Sequence, residues 1–113
     1  MHKINEPLIS VIINCFNGEK FLNKCVHSVL NQTYSNFEII FFDNNSTDKS
    51  LNLIKSIKSR KIRVFKSKKK IKLYHARNKA LKLSKGKFIS ILDIDDTWHK
   101  NKLKKQINKI CRE

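Results

Sequence analysis

Apolar residues along this chain recur with two different spacings. LISVIIN, residues 8–14, is a short continuous apolar run rich in β-branched residues, which predicts a strand buried on both faces. FEIIFFD, residues 37–43, predicts a second buried strand, IRVF, residues 62–65, a short third, and KFISILD, residues 87–93, a fourth. Between them the spacing is helical. Phe21, Leu22, Cys25, Val26, Val29 and Leu30 form one stripe over residues 19–31. Leu51, Leu53, Ile54 and Ile57 form the next, preceded by NNSTD with Ser46 and Thr47 as expected N-caps and Asp48 placed to favour the helix dipole. Residues 73–84 carry Ala76, Ala80, Leu81 and Leu83, and Gly86 is the expected stop. Leu103, Ile107 and Ile110 mark a closing basic helix over residues 100–111.

The element order is therefore β-α-β-α-β-α-β-α. Strands alternating with helices imply an α/β fold with a parallel sheet covered by helices on both faces. In open sheets of this kind ligands bind beyond the carboxyl ends of the strands, near the point where strand order reverses. Those ends carry Asn14, Cys15, Phe16 and Asn17 after strand one, Asp43, Asn44 and Asn45 after strand two, and Asp93, Asp95 and Asp96 after strand four.

Composition sharpens the picture. The chain has 113 residues, enough for one domain, and 40% of them are hydrophobic, as a globular fold requires. Its 25 Lys and Arg against nine Asp and Glu give a net charge of +16. Solvated lysine faces explain much of this excess; attraction to a polyanion or an anionic membrane surface is the functional alternative. The densest run, KSKKKIK at 66–72, lacks the interleaved aromatics of a stacking platform, so nucleic acid is not the favoured partner. Cys15, Cys25 and Cys111 form no CxxC pair, which argues against a zinc site or disulfide framework and for a reduced, cytoplasmic chain. Cys25 and Cys111 are expected in the core. No stretch is long and apolar enough to span a membrane, and MHKINEPLIS lacks the apolar core of a signal peptide.

Against such scarcity of acid, three carboxylates within DIDD, residues 93–96, stand out. At an effective dielectric near 20 an ionised pair about 4 Å apart repels by roughly 4 kcal/mol. Protonation, solvation in a loose turn, and a bound cation each relieve this. Asp-x-Asp-Asp suits a divalent metal with oxygen ligands; a solvated turn with one Asp capping the next helix is the structural alternative.

PLISVIINCFNGEKFLNKCVHSVLNQTYSNFEIIFFDNNSTD, residues 7–48, and ARNKALKLSKGKFISILDIDDTW, residues 76–98, resemble the glycosyltransferase family 2 domain in order and spacing. The resemblance implies the GT-A fold, here its Rossmann-like donor-binding half, and transfer of a sugar from a nucleotide diphosphate to an acceptor with inversion. It implies that Asp93-Ile94-Asp95 is the DxD motif, with Asp95 as main ligand of Mg²⁺ or Mn²⁺ and Asp93 facing the ribose or the metal. Asn14, Phe16 and Asn17 match the segment that holds base and ribose, Asp43 and Asn44 the acidic pair near the base, and Arg77 a motif facing the donor phosphates. A UDP-sugar is the expected donor, and a glycan or lipid-linked saccharide the expected acceptor. Phe16 read alone is equally a core aromatic and Arg77 a helix-surface residue. Trp98 is expected to pack under the metal loop, and His75 and His99 to be incidental. Departures from the family pattern are Asn44 where a second Asp is common, Cys15 in place of a small hydroxyl residue, and Lys72 in place of a Gly. The family's catalytic base lies well past the DxD motif, so none is expected within the chain; the base and the acceptor half are expected beyond residue 113 or on a partner. Residues 1–113 are accordingly read as a partial domain, poorly soluble or self-associating alone. The alternative is a non-catalytic nucleotide-binding or interaction module, with peripheral contact to an anionic membrane.

Overall fold

The computed structural model describes residues 6–111. The elements run β1 (Ile9–Cys15), α1 (Leu22–Leu30), β2 (Phe37–Asp43), α2 (Ser50–Ser56), β3 (Ile62–Lys66), α3 (Leu73–Leu83), β4 (Phe88–Ile91) and α4 (Lys102–Cys111). The four strands form one parallel sheet in the order β3-β2-β1-β4. Strand order reverses between β1 and β4, so the crevice of such a sheet opens at their carboxyl ends.

Side-chain alternation divides the core in two. Val11, Ile13, Ile39 and Phe41 point to one face, where Leu22, Cys25, Val26 and Val29 of α1, Ile54 of α2 and Leu103 and Ile107 of α4 cover them. Ile12, Ile40 and Phe42 point to the other, which only α3 covers, through Ala76 and Ala80. Both faces thus carry helices, but three helices pack on one and a single helix on the other. The expectation for Cys25 is met by full burial; that for Cys111 lies outside the described side chains.

The fourth strand is shorter than its apolar run: β4 is an edge strand paired for four residues only, and Ile89 and Ile91 are 41% and 46% exposed on the thinly covered face. Two expectations need correction. Ser46 and Thr47 do not cap α2. The helix starts at Ser50 with Lys49 at its cap position, and the Asp48 carboxylate accepts the Ser50 N–H at 2.9 Å. Ser46 and Thr47 are drawn instead to the loop after β1. Gly86 does not end α3 in a left-handed turn; the last helical residue is Leu83 and no glycine has positive φ. Its role is close approach. A Cβ at Gly86 would stand 2.6 Å from the Ser10 backbone nitrogen and 2.9 Å from the Leu8 carbonyl oxygen.

That contact carries a test. Because β1 backbone cannot yield as a flexible side chain would, Gly86→Ala should cost about 1–3 kcal/mol. Thermal unfolding followed by circular dichroism should show a melting temperature lower by about 5–15 °C. An unchanged melting temperature would mean that the β4 lead-in does not lie against β1.

Candidate active site at the carboxyl edge of the sheet

Where β1 and β4 end, the chain makes two tight turns that pack on each other. After β1, Asn17 adopts left-handed backbone at φ 51°, a conformation that Asn tolerates better than most residues. The Gly18 carbonyl then accepts the N–H groups of Phe21 and Leu22, which delays α1 to residue 22 rather than 19. After β4, the Asp96 N–H donates to the Asp93 carbonyl at 3.0 Å and closes a turn over residues 93–96. Ile94 from that turn is half-buried against the core. A Cβ at Gly18 would stand 2.6 Å from the Ile94 side chain, so a glycine is needed where the two turns meet.

Asn17 also joins the first loop to the one after β2. Its Oδ1 accepts the N–H of Thr47 at 2.8 Å and of Asp48 at 3.2 Å, while its own N–H donates to Ser46 Oγ at 2.9 Å. Gly18 N–H donates to Ser50 Oγ, and Glu19 N–H to Asp48. Partial burial of Asp48 favours its protonated form, but hydrogen bonds from Ser50 and Glu19 outweigh this and hold its carboxyl below the usual range.

These turns border a cavity of about 450 Å³ lined by Asn14, Phe16, Asn17, Asp93 and Asp95 together with Gly18, Phe21, Leu73, Ile91, Leu92 and Ile94. Five of the residues expected at a site therefore converge there. Arg77 reaches the rim by an ion pair, its Nη2 lying 3.3 Å from Asp93 Oδ1. Asp43 and Asn44 lie outside the lining. Asn44 is occupied by the backbone of Ile71, donating to its carbonyl at 2.7 Å and accepting its N–H at 2.9 Å. Its visible task is to hold the lysine-rich loop beside the site. Lys70 from that loop stands 3.8 Å over the Phe16 ring, so a base stacking on Phe16 must share or displace this cation.

Four buried polar side-chain atoms lack a hydrogen-bond partner among the described residues: Nδ2 and Oδ1 of Asn14, Oδ1 of Asp43 and Nε of Arg77. All four belong to residues at this edge or reaching towards it. Each such atom costs about 1–3 kcal/mol, which a fold tolerates where a ligand supplies the missing partner.

The remaining expected residues are placed as follows. Trp98 is half-buried against the core and its N–H donates to Ser28 Oγ. His75 stacks on Tyr74, and His99 Nδ1 accepts the Asn101 N–H; neither lines the cavity. Burial, then the neighbouring Cys15 and the carboxylates of Asp96, Asp95 and Asp93, push the Cys25 thiol up to about 12, so it is neutral at pH 7. Among the described residues no three His, Cys, Asp or Glu side chains converge as a ready metal cage. The donor set is open instead. Asp93 and Asp95 are exposed oxygen donors on one turn. That chemistry fits a hard divalent cation which keeps waters and takes phosphate oxygens as further ligands. The apolar residues of the lining and Gly18 carried no chemical signal in sequence, although Gly18 is one of only two glycines.

Known proteins resemble this chain in sequence and in fold. The model of glycosyl transferase family 2 matches residues 10–113. A glycosyltransferase of Haemophilus influenzae is 40% identical over 107 residues, covering 93% of this chain and 43% of its own length. The Escherichia coli UDP-Glc:alpha-D-GlcNAc-diphosphoundecaprenol beta-1,3-glucosyltransferase WfaP is 41% identical over 101 residues, covering 89% of this chain and 40% of WfaP. Among solved structures, S. aureus TarS 1-349 in complex with UDP-GlcNAc superposes with a TM-score of 0.85 at 27% identity, over 92% of this chain and 31% of that chain. This chain spans about two fifths of the length of those two curated relatives. By its sequence, and by a sheet that superposes on TarS, the chain belongs to glycosyl transferase family 2 and has the GT-A fold.

Proposed function

We propose that the cavity between β1 and β4 binds the nucleotide diphosphate part of a sugar donor, a UDP-sugar, for inverting transfer to a glycan or lipid-linked acceptor. The observation that carries this reading is the unpaired buried amide of Asn14 in the cavity that exposed Asp93 and Asp95 line, with the unpaired Nε of Arg77, which ion-pairs with Asp93, at its rim. Support also comes from the UDP donor in the name of WfaP and the UDP-GlcNAc in the TarS complex.

Asp95, with Asp93, would hold Mg²⁺ or Mn²⁺, which when bound neutralises charge on the leaving diphosphate. The protein's own groups orient the donor. Asn14 offers an amide donor and acceptor from the end of β1. Phe16 presents its ring, 39% exposed, to the base. Arg77 holds Asp93 in the donor-free state and is a further cation for phosphate oxygens.

Calorimetric titration of UDP with and without Mn²⁺, on wild type and Asp95→Ala, tests this. Binding should require the metal, and Asp95→Ala should weaken it by at least the roughly 10–100-fold lost when an outer-sphere partner of a metal site is removed. Equal metal-dependent binding by Asp95→Ala would overturn the assignment of the ligand. A folded chain that bound none of UDP, GDP or dTDP would be an interaction module rather than a donor site.

A further inference from the structure

A second and larger cleft lies on the opposite side of α3. It measures about 900 Å³ and runs between β3 and α3, with Phe42, Phe65, Ile71 and Leu83 as its apolar surface. Lys66 lines it from the end of β3, Lys68 and Lys69 from the loop that follows, and Lys79 and Lys82 from α3. None of these five lysines is ion-paired among the described residues, and no carboxylate lines the cleft. The loop is held in place: Ser67 N–H donates to the Asp43 carbonyl at 2.9 Å, and Asn44 grips Ile71 from both sides. The cleft therefore combines a fixed apolar surface with a one-sign rim. It exists because α3 alone covers this face and its buried contacts are the small residues Ala76 and Ala80.

We infer that this cleft is a docking site for an anionic phospholipid surface, in which the lysines meet headgroup phosphates and the apolar surface receives part of an acyl chain. Charge complementarity selects the partner. Flexible lysine stems reach outwards while the surface beneath them stays apolar, which suits a bilayer boundary. A nucleic acid would want exposed aromatic faces; of the two aromatics lining the cleft, Phe42 is buried and Phe65 is half-buried with the Arg63 guanidinium over its ring. Among the described residues no helix is long and apolar enough to cross a membrane. Lys66 is the carboxyl end of β3 and Lys68 and Lys69 follow it, at the same edge of the sheet as Asp93 and Asp95. On the proposed function above, a chain docked this way would present its donor site towards a lipid-linked acceptor; the docking itself needs no nucleotide.

Vesicle cosedimentation decides the matter without touching the donor site. The full chain is mixed with phosphatidylglycerol–phosphatidylcholine vesicles or pure phosphatidylcholine vesicles at low and high salt, as wild type and two charge-matched variants. One variant carries Lys68→Gln, Lys69→Gln and Lys82→Gln at the cleft. The other carries Lys24→Gln, Lys55→Gln and Lys105→Gln on the opposite helical layer. Wild type should partition onto the anionic vesicles only, the cleft variant at least tenfold more weakly, and the control variant within threefold of wild type. Equal losses in both variants would reduce the effect to net charge, and wild-type binding to neither vesicle or to both alike would remove the site. Tighter binding to a single-stranded oligonucleotide, lost in the cleft variant, would assign the cleft to nucleic acid and overturn the inference.

Discussion

Phe41→Ala should lower the stability of this domain by about 3–5 kcal/mol. Phe41 is fully buried in the middle of β2, beside Ile13 of β1 and Val64 of β3 in register. Its ring belongs to the core on the face that three helices share. Truncation would leave a cavity that β2, hydrogen-bonded on both sides, cannot close. A domain of ordinary stability has about 5–15 kcal/mol to lose, so the variant should be partly unfolded at room temperature or unfold at much lower urea. Equilibrium urea unfolding measures this, with Phe41→Leu as companion; the volume-conserving change should cost less than about 1.5 kcal/mol. A loss below about 1 kcal/mol for Phe41→Ala would mean that the two strands flanking β2 are not in this register. The effect reaches the site, because Asp43 sits two residues further along the same strand.

The second large effect lies at the opposite end of the sheet, around Glu38. Its carboxylate accepts Ser10 Oγ at 2.5 Å, the Lys85 N–H at 2.7 Å and Arg63 Nη1 at 2.9 Å. Arg63 also donates to the Leu83 carbonyl, and Gly86 N–H to Ser10 Oγ. One carboxylate thus ties β1, β2 and β3 to the segment between α3 and β4. Burial by itself would raise its pKa; the hydrogen bonds from Ser10, Lys85 and Arg63 and the charge of Arg63 together win, and the folded carboxyl titrates below its ordinary value. A group depressed on folding contributes stability that is complete above its unfolded pKa, about 4.3 for Glu. That contribution is lost as pH falls from there through the lower folded value. Wild type should therefore weaken below about pH 4.5.

Glu38→Gln should cost about 2–4 kcal/mol at pH 7, because an amide NH₂ must face Arg63 or Lys85 whichever way it turns. It should also flatten the acid limb of the stability curve, leaving the part due to Asp48, whose carboxyl is likewise held down. Urea midpoints of both proteins between pH 3 and pH 7 test this. An unchanged acid slope in Glu38→Gln would show that the carboxylate network does not form.

The candidate site was legible in sequence as far as its chemistry was carried by residue type at a strand end. Asn14, Phe16 and Asn17 could be placed because they follow an apolar run, and Asp93 and Asp95 because scarce carboxylates cluster after another. Asn44 shows what such inference does not reach: its amide is matched to the backbone of Ile71, 27 residues away. Gly86 shows the same limit: its type predicted a helix stop, and its reason is the approach of β1 from 76 positions earlier.

What the sequence determined by itself was therefore the alternation of strands and helices, the parallel sheet it implies, the family, and the edge at which chemistry gathers. These follow from local apolar periodicity and from motifs of a few residues, which act within one or two elements. Only the tertiary structure decided that α3 covers one face alone, that β4 is a half-exposed edge, that Asn17 joins the loop after β1 to the one after β2, and that lysines spread over residues 66–82 surround one apolar cleft. Each of these depends on side chains or backbone segments brought together from distant positions, where packing and hydrogen bonding, not periodicity, set the outcome.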